Sequence, residues 1–338
     1  MQEPISVFTG TSNRPLAEKV CRELSKIRGE DIGLSPAFVG RFSDGEVAVR
    51  LGVHSFDNEE WVDNSRGRDV FIIESIQPPA ENLWELCCLI RAVSHRSPRR
   101  ITPVIPYLGY ARQDRKDKSG KLIAAKLVAD VLEASFLNTI SREYLLHELH
   151  ADQIEGFFDA PVNKLYASYV FVPFIKSLRL KEDECISLRE DFTIISPDIG
   201  GLKIARFHAK SLGQDVAFID KRRPEANKAE VMNVVGKIKR IGIFVDDVVD
   251  TFGSLFAASE AVPAEEQYAF CTHPVLSGPA IERLMQSRIR RLYVTDTIPL
   301  SEEAIDCGRI KVVSVAPMIA QAIHNIHEER SVSRLVLQ

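Results

Sequence analysis

Short runs of mostly apolar residues alternate along the chain with longer segments in which apolar residues recur every three or four positions. Short apolar runs predict strands buried on both faces, and the longer period predicts amphipathic helices between them. The strand-like runs occupy residues 5–8, 69–74, 100–106, 192–196, 215–220, 240–245 and 291–295. The pattern predicts an α/β fold with mainly parallel sheets flanked by helices.

The chain is long for a single core. Its 338 residues exceed the size at which cores usually divide, so two domains are expected. Pro161 interrupts the pattern, and we place the boundary beside it, with domains at 1–165 and 166–338. Helical periodicity is clear at residues 121–132, 203–212 and 255–262. Two polar or charged stretches, 55–68 and 176–191, have the character of insertions.

The composition argues against some classes of partner. The chain carries 43 basic and 47 acidic residues, a net charge of −4, so no overall positive charge favours nucleic acid. No stretch approaches the roughly 18 consecutive apolar residues of a membrane span. The six cysteines form no C-x-x-C pair, which is typical of a reducing compartment. We therefore expect a soluble, cytoplasmic protein without a nucleic-acid or membrane partner.

The strongest local signal is the segment IFVDDVVDTFGS at 243–254, where a buried strand runs into three carboxylates and a Thr-x-Gly-Ser turn before a helix. Its candidate binding residues are Asp246, Asp247, Asp250, Thr251, Phe252, Gly253 and Ser254. Glycine lets the backbone approach a phosphate, and hydroxyl groups, amide groups and the helix N-terminus favour its charge. Carboxylates beside an anion need a neutral donor or a cation, which ribose hydroxyls and a magnesium-bound water would supply. An acidic turn that merely caps the helix is the alternative.

A basic loop with the sequence YLGYARQDRKDKSGK follows an earlier strand at 107–121. It carries five cations against Asp114 and Asp117, and such a loop could bind a triphosphate. A solvated charged loop is the alternative. The phosphate-binding pattern G-x-x-x-x-G-K-[ST] does not occur in the chain, so a nucleotide would have to be held by another device.

Three shorter segments carry candidate chemistry. In HELHAD at 147–152, His147 and His150 are three residues apart, whereas the histidines of an H-E-x-x-H zinc site are four apart. This spacing favours one magnesium-associated histidine, or a core histidine with its hydrogen bonds satisfied, over a zinc site. SPDIGG at 196–201 makes Asp198 either a metal ligand or part of an ordinary tight turn. DKRRP at 220–224 sets three cations side by side, for which a basic surface turn is the alternative.

Taken together and in this order, these segments resemble the ribose-phosphate diphosphokinase family, also called phosphoribosyl pyrophosphate synthetases. The resemblance covers nearly the whole chain, and an ordered series of motifs is specific where one motif is only suggestive. It runs through TGTSN at 9–13, GRFSDGE at 40–46, YARQDRK at 110–116, LHADQIEGFF at 149–158, SPD at 196–198, DKRRP at 220–224, VDDVVDT at 245–251, SGPA at 277–280 and TDTIP at 295–299.

The resemblance implies two phosphoribosyltransferase-like domains, the first binding ATP and the second ribose 5-phosphate, with a tail from about residue 305 returning to the first. The diphosphoryl group of ATP would move to the 1-hydroxyl of ribose 5-phosphate, and the acidic loop would bind the sugar phosphate. The resemblance implies that Phe42, Asp44 and Glu46 bind adenine and that Arg112 and Gln113 bind the ATP phosphates. It also implies that His150 and Asp198 are associated with Mg²⁺ and that Lys221 and Arg223 are the catalytic cations. A homo-oligomer built from dimers, up to a hexamer, is also implied.

The chain departs from the family pattern in places. Glu148 and Ser254 replace the usual aspartate and threonine but keep the functional group, whereas segment 117–121 is shortened and lacks the usual arginine and proline. A non-catalytic regulatory paralogue is the main alternative. Four retained residues argue against it: Lys221, Arg223, His150 and Asp198. A phosphoribosyltransferase would share the acidic loop without needing an ATP site.

Overall fold

The computed structural model describes residues 4–54, 61–62, 65–137, 140–178, 191–222 and 231–335. The chain divides into two compact units, one of Met1–Tyr166 with Ala316–Gln338 and the other of Ala167–Val315. Each unit contains a mainly parallel sheet flanked by helices, which confirms the predicted fold class.

The large sheet of the first unit is parallel throughout. The strands of this unit are β1 (Ile5–Thr9), β2 (Ala37–Arg41), β3 (Val47–Leu51), β4 (Val53–His54), β5 (Trp61–Val62), β6 (Asp69–Ile73), β7 (Arg100–Ile105), β8 (Ser141–Arg142), β9 (Tyr144–His147) and β10 (Val162–Leu165). The sheet has the order β1-β6-β7-β9-β10, with β8 also paired to β7. Every residue of β6 is buried, and after Asp69 its apolar side chains fill both faces of the sheet.

Three helices precede the second unit: α1 (Arg14–Arg28), α2 (Glu81–Ser94) and α3 (Ala124–Ala134). Helix α1 has a proline in its first turn and ends at Gly29, whose φ of 70° is left-handed. Its buried face includes Leu16, Val20 and Leu24, at the spacing of one helical face. A short 3₁₀ helix, Asp152–Phe157, follows β9. Strands β2 and β3 form a separate antiparallel hairpin.

The second unit is built on a seven-stranded sheet. Its elements are α4 (Ser168–Leu178), β11 (Phe192–Ser196), α5 (Leu202–Leu212), β12 (Asp215–Arg222), β13 (Val231–Val235), β14 (Ile241–Val249), α6 (Gly253–Ala261), β15 (Glu266–Pro274), α7 (Ala280–Gln286), β16 (Ile289–Thr295), α8 (Glu302–Asp306) and β17 (Ile310–Val313). The order is β13-β12-β11-β14-β15-β16-β17, and only β13 is antiparallel to its neighbour. Apolar clusters cover both faces of this sheet.

The C-terminal helix α9 (Ala316–His327) and the 3₁₀ turn Val332–Leu335 belong to the first unit. A buried polar network joins this helix to the sheet: Asp69 Oδ2 lies 2.8 Å from His327 Nδ1 and accepts a hydrogen bond from Arg100 Nη2 at 2.8 Å. The same Arg100 nitrogen donates to the carbonyl oxygen of Ile326. Burial acts to raise the pKa of Asp69, but hydrogen bonds from His327 and Arg100 outweigh it and lower the pKa.

The predicted elements differ from the structure mainly at their ends. The helix expected at 121–132 begins at Ala124, and the strand expected at 291–295 begins at Ile289. The apolar runs did not reveal β15, although the strand is buried along most of its length. In the part of the chain that the structure describes, no helix has the length and apolar character needed to cross a bilayer.

Candidate active site

The acidic loop of the second unit lies at the carboxyl end of β14, beside the end of β11. Strands β11 and β14 pair directly, so Asp198, which follows β11, lies near the carboxylates that end β14. An ideal Cβ on Gly201 would lie 3.7 Å from Asp246 Oδ1 and 4.0 Å from Asp198 Oδ1. Ligands of open α/β sheets bind at this edge. The structure therefore brings two predicted site residues together around Gly201.

The electrostatics of this cluster favour a positive or hydrogen-bonding ligand. Burial raises the pKa of the Asp246 carboxyl well above its usual range, and the negative charges of Asp247 and Asp198 add to the rise. Asp246 Oδ1 accepts a hydrogen bond from the Asp247 N–H at 3.0 Å, and Asp198 Oδ1 accepts one from the Gly201 N–H at 3.1 Å. Crowded carboxylates of this kind are stabilised by a cation or by neutral donors.

The turn from Asp250 to α6 has the geometry of an anion-binding loop. Phe252 has a left-handed φ of 61° while its ring is buried, so the side chain anchors a backbone conformation that non-glycine residues rarely adopt. Among the described residues, the backbone N–H groups of Thr251, Phe252 and Gly253 have no acceptor. Free N–H groups ahead of a helix are the donors that a phosphate needs.

The SGPA segment at 277–280 stabilises this loop through hydrogen bonds. The Ser277 N–H donates to the carbonyl oxygen of Asp250 at 3.0 Å, and the Ser277 hydroxyl donates to the Asp250 carboxylate. One residue earlier, the Leu276 N–H donates to the carbonyl oxygen of Val249 at 3.0 Å. The motif had no assigned role in the sequence, and its contacts show that it fixes the backbone of the acidic loop.

The two catalytic cations predicted from the sequence are only partly covered by the structure. Lys221 lies in β12, where its backbone is in register with Met232 of β13. Arg223 lies outside the described residues. Strand β12 pairs with β11, so Lys221 belongs to a strand beside the one that leads to Asp198.

The three candidates for adenine binding share the turn of the β2–β3 hairpin. The Phe42 N–H donates to the carbonyl oxygen of Glu46 at 2.8 Å, and the Glu46 N–H donates to Asp44 Oδ1 at 3.0 Å. All three side chains are exposed, Phe42 by 62%. Phe42 also borders a groove of about 1050 Å³ that is lined in addition by Phe38 and Trp84.

Arg112 and Gln113 lie on a different element, the loop that follows β7, and both are exposed. The loop approaches the segment that follows β6 closely, since an ideal Cβ on Gly109 would lie 2.0 Å from the carbonyl oxygen of Ile76. His150 follows β9, which pairs with β7, and it is exposed. A hydrogen bond from Gln153 Nε2 to Asp114 Oδ2 at 2.7 Å joins this loop to the segment after His150.

A buried pair of carboxyl groups, which the sequence reading missed, holds the loop after β1. The N–H groups of Gly10 and Ser12 donate to Glu74 at 2.7 and 3.2 Å, and the N–H and hydroxyl groups of Thr11 donate to Glu85 at 2.8 to 3.0 Å. Burial raises the pKa of Glu74 to about 8, with the Ser12 side chain opposing the rise and the charge of Glu85 adding to it. The sequence signal that could have revealed this pair is an acidic residue at a core-facing position of a helix, which is where Glu85 lies in α2.

The candidate metal ligands are distributed over the two units, with His150 in the first and Asp198 in the second. In the described ranges, no group of three His, Cys, Asp or Glu side chains forms a cage for a metal. Magnesium is usually bound by one or two carboxylates together with substrate phosphates and water, rather than by a protein cage. The carboxylate oxygens around Asp198 and Asp246 fit that mode of binding.

Comparison with known proteins identifies the family. Residues 5–135 match the family model of the N-terminal domain of ribose phosphate pyrophosphokinase, and residues 213–337 match that of the phosphoribosyl synthetase-associated domain. A ribose-phosphate pyrophosphokinase of Neisseria meningitidis is 44% identical over 339 residues, covering 98% of this chain and 95% of the relative. One of Caldanaerobacter subterraneus is 44% identical over 336 residues, covering 98% of this chain and 97% of the relative.

A solved structure shows the same likeness over the full chain. The crystal structure of phosphoribosylpyrophosphate synthetase from Mycobacterium smegmatis aligns with a TM-score of 0.81 at 31% sequence identity, covering 97% of this chain and 100% of that one. These matches extend through both units and through the loops described above. The chain belongs to the ribose-phosphate pyrophosphokinase family.

Proposed function

We propose that this chain transfers the β,γ-diphosphoryl group of ATP to the 1-hydroxyl of ribose 5-phosphate. The hydroxyl oxygen attacks the β-phosphorus and loses its proton, and the bond from that phosphorus to the α–β bridging oxygen breaks. The products are phosphoribosyl diphosphate and AMP. The observation that carries the proposal is the loop at 250–254, where the N–H groups of residues 251–253 have no acceptor among the described residues and lie beside crowded carboxylates.

The sugar phosphate binds at this loop in our proposal. The N–H groups of residues 251–253 and the hydroxyl groups of Thr251 and Ser254 donate to the 5-phosphate. Asp246 and Asp247 accept hydrogen bonds from the ribose hydroxyls, which supplies the neutral donors that their crowding requires.

ATP binds through the exposed residues of the first unit. Arg112 and Gln113 contact its phosphates, and Arg112 offers the planar donor pair that matches phosphate oxygens. Phe42 stacks on the adenine ring, and Asp44 and Glu46 accept from its amino group. Support comes from the exposure of these side chains at the surface of the unit.

Lys221 and Arg223 stabilise the negative charge that moves among phosphate oxygens during transfer. We assign Mg²⁺ to His150 and Asp198, together with the phosphates of the substrates. When bound, Mg²⁺ neutralises part of the phosphate charge and so aids alignment of the two reactants. The protein itself binds and orients the two substrates and stabilises the charge that develops during transfer, which is most of what phosphoryl transfer requires.

The decisive experiment is to measure AMP released from ATP in the presence and absence of ribose 5-phosphate. We expect release that depends on the sugar phosphate, and a Lys221→Ala variant should lose about 10²-fold or more in kcat with little change in ATP affinity. Lys210→Ala, an exposed lysine on α5, is the matched control. Unchanged kcat in Lys221→Ala would remove the catalytic role of that residue.

The same assay separates the alternatives. A regulatory paralogue would bind a nucleotide or sugar phosphate without forming AMP. A phosphoribosyltransferase would consume phosphoribosyl diphosphate rather than produce it. No observation favours either over the proposed reaction, and the full-length relatives that carry the name ribose-phosphate pyrophosphokinase favour the synthetase.

We also propose that the chain assembles into a homo-oligomer built from dimers, up to a hexamer. Exposed aromatic side chains border the groove of the first unit, Phe38 by 50% and Trp84 by 57%. Apolar surface of this kind is common at protein interfaces. Light scattering that gives the mass of one chain at micromolar concentration would contradict the proposal.

A further inference from the structure

An arginine of the second unit contacts the loop that we assign to the 5-phosphate. Arg283 lies in α7, and its Nη1 donates to the carbonyl oxygen of Thr251 at 2.9 Å. The same nitrogen would lie 3.3 Å from a Cβ placed on Gly253. The guanidinium group therefore packs directly against the turn that leads into α6.

The charge of Arg283 has no carboxylate partner among the described residues, unlike the charges of two other arginines of the unit. Arg240 and Arg290 both pair with Glu266, at 2.6 and 2.8 Å. The side chain of Arg283 is partly buried, and its hydrogen bond to Thr251 is its described polar contact. An unneutralised cation bonded to a carbonyl oxygen polarises that peptide group and makes its N–H a stronger donor.

Peptide geometry gives this contact a direction. The peptide that joins Thr251 to Phe252 is planar, and in a trans peptide the C=O and N–H bonds point in opposite directions. Because Arg283 holds the carbonyl oxygen, the Phe252 N–H points away from the guanidinium. That N–H has no acceptor among the described residues, and the left-handed φ of 61° at Phe252 sets its orientation.

We propose that Arg283 is a positioning residue for ribose 5-phosphate: it fixes and polarises the Thr251–Phe252 peptide so that the Phe252 N–H donates to the 5-phosphate. The inference rests on the proposed function, since it assigns the loop to that substrate. It adds to the loop a residue that acts through the backbone and does not itself contact the substrate. Ser277 supports the same loop, because it donates hydrogen bonds to Asp250, the residue before Thr251.

The test compares Arg283→Met and Arg283→Lys with Arg288→Met. Arg288 is the matched control, because it also donates to backbone carbonyl oxygens, those of Val262 and Ala264 at 2.8 Å each, but at the far end of the helix α6 that begins at Gly253. For each variant we would measure KM for both substrates, kcat, and the affinity for ribose 5-phosphate by titration calorimetry with Mg²⁺ present.

We expect Arg283→Met to raise KM and Kd for ribose 5-phosphate about 10- to 100-fold, the loss expected for one hydrogen bond to a charged group. KM for ATP should stay within about twofold, since ATP is assigned to other residues, and Arg283→Lys should recover part of the affinity because it keeps a charged donor. Arg288→Met should leave both KM values unchanged. Such a split would not arise from a general loss of stability.

The outcomes separate the inference from the proposed function. If the parent chain binds ribose 5-phosphate and Arg283→Met binds it equally well, the role of Arg283 is refuted whether or not AMP is formed. If KM for both substrates rises equally, the residue is structural and the inference also fails. If the parent chain does not bind ribose 5-phosphate, both proposals fall. Should Arg283→Met not fold, the same comparison with Arg283→Lys decides.

Discussion

The buried carboxyl group of Glu74 should make the stability of the first unit depend on pH. Its side chain is fully buried under the loop after β1 and accepts hydrogen bonds from Gly10 and Ser12. Burial raises its pKa to about 8, the hydrogen bond of the Ser12 side chain opposes this, and the charge of Glu85 adds to it. The folded protein therefore binds a proton at neutral pH that the unfolded chain, with an ordinary glutamate, has released.

The sign and size of the effect follow from these two pKa values. Between about pH 4.5 and pH 8 the folded state binds one more proton, so the free energy of unfolding falls as pH rises through this window. A shift of this size, at about 1.4 kcal/mol for each pKa unit, amounts to at most about 5 kcal/mol over the whole window. Below pH 4.5 and above pH 8 this group adds no further dependence.

The assay is denaturant unfolding of the parent chain and of Glu74→Gln at pH 5.5, 7 and 8.5. The two tryptophans, Trp61 and Trp84, both lie in the first unit, so their fluorescence reports on that unit. Glutamine does not titrate but turns an NH₂ group toward one of the loop N–H groups, which costs about 1 to 3 kcal/mol. We expect Glu74→Gln to be the less stable protein at pH 5.5 and to approach or exceed the parent at pH 8.5.

Two further variants sharpen this test. Glu85→Gln removes the neighbouring negative charge, which helps to raise the pKa of Glu74. The free energy of unfolding of this variant should therefore fall over a narrower range of pH than that of the parent chain. Glu81→Gln, exposed on the same helix α2, is the matched control and should leave the pH dependence unchanged. A difference between Glu74→Gln and the parent that is the same at all three pH values would refute the raised pKa.

Three other substitutions have defined outcomes. Asp69→Asn should lower the free energy of unfolding by about 1 to 3 kcal/mol in denaturant, because Arg100 and His327 lose a charged acceptor while Arg100 keeps its ion pair with Glu143. Gly109→Ala should lower the melting temperature by several degrees and raise KM for ATP, because the added Cβ would lie 2.0 Å from the carbonyl oxygen of Ile76. Asp246→Asn should raise the melting temperature at pH 8 by relieving charge crowding, yet lower kcat/KM for ribose 5-phosphate about 10²-fold; unchanged kinetics would exclude Asp246 from the site.

The parallel α/β fold was predictable because the central strands are apolar at nearly every position. Strand β6 and strand β11 are buried throughout, and nothing in their sequences competes with that interpretation. Strand β15 was missed because its apolar run, at 268–271, is short and has polar residues on both sides. Gln267 donates to the carbonyl oxygens of Ser259 and Val262, and His273 lies 3.0 Å from Thr297 Oγ1. Buried polar residues with internal partners have the sequence character of a surface.

Candidate binding residues were predictable where they are adjacent in sequence, as in the acidic loop at 246–254. Residues that support such loops from a distance were not. Glu74 lies 64 residues from Gly10, and Arg283 lies 32 residues from Thr251, so neither forms a local pattern with the loop it holds. A charged side chain in a strand end or a helix has the same sequence appearance whether it faces water or a loop backbone.

The loop after β1 and the loop after β14 have groups of opposite charge bonded to their backbones, and this difference decides which backbone groups remain available to a ligand. After β1, the N–H groups of residues 10–12 are already bonded to Glu74 and Glu85, so they are not available to an anion. In the second unit, Arg283 bonds to a carbonyl oxygen, and the N–H groups of residues 251–253 have no acceptor within the part of the chain that the structure describes. A carboxylate packed behind a loop accepts hydrogen bonds from the backbone N–H groups. A guanidinium group donates to a backbone carbonyl oxygen instead, and the N–H groups remain available to a phosphate. A glycine-containing turn at the end of a parallel strand therefore becomes a phosphate site only when the residues packed behind it leave its N–H groups unpaired.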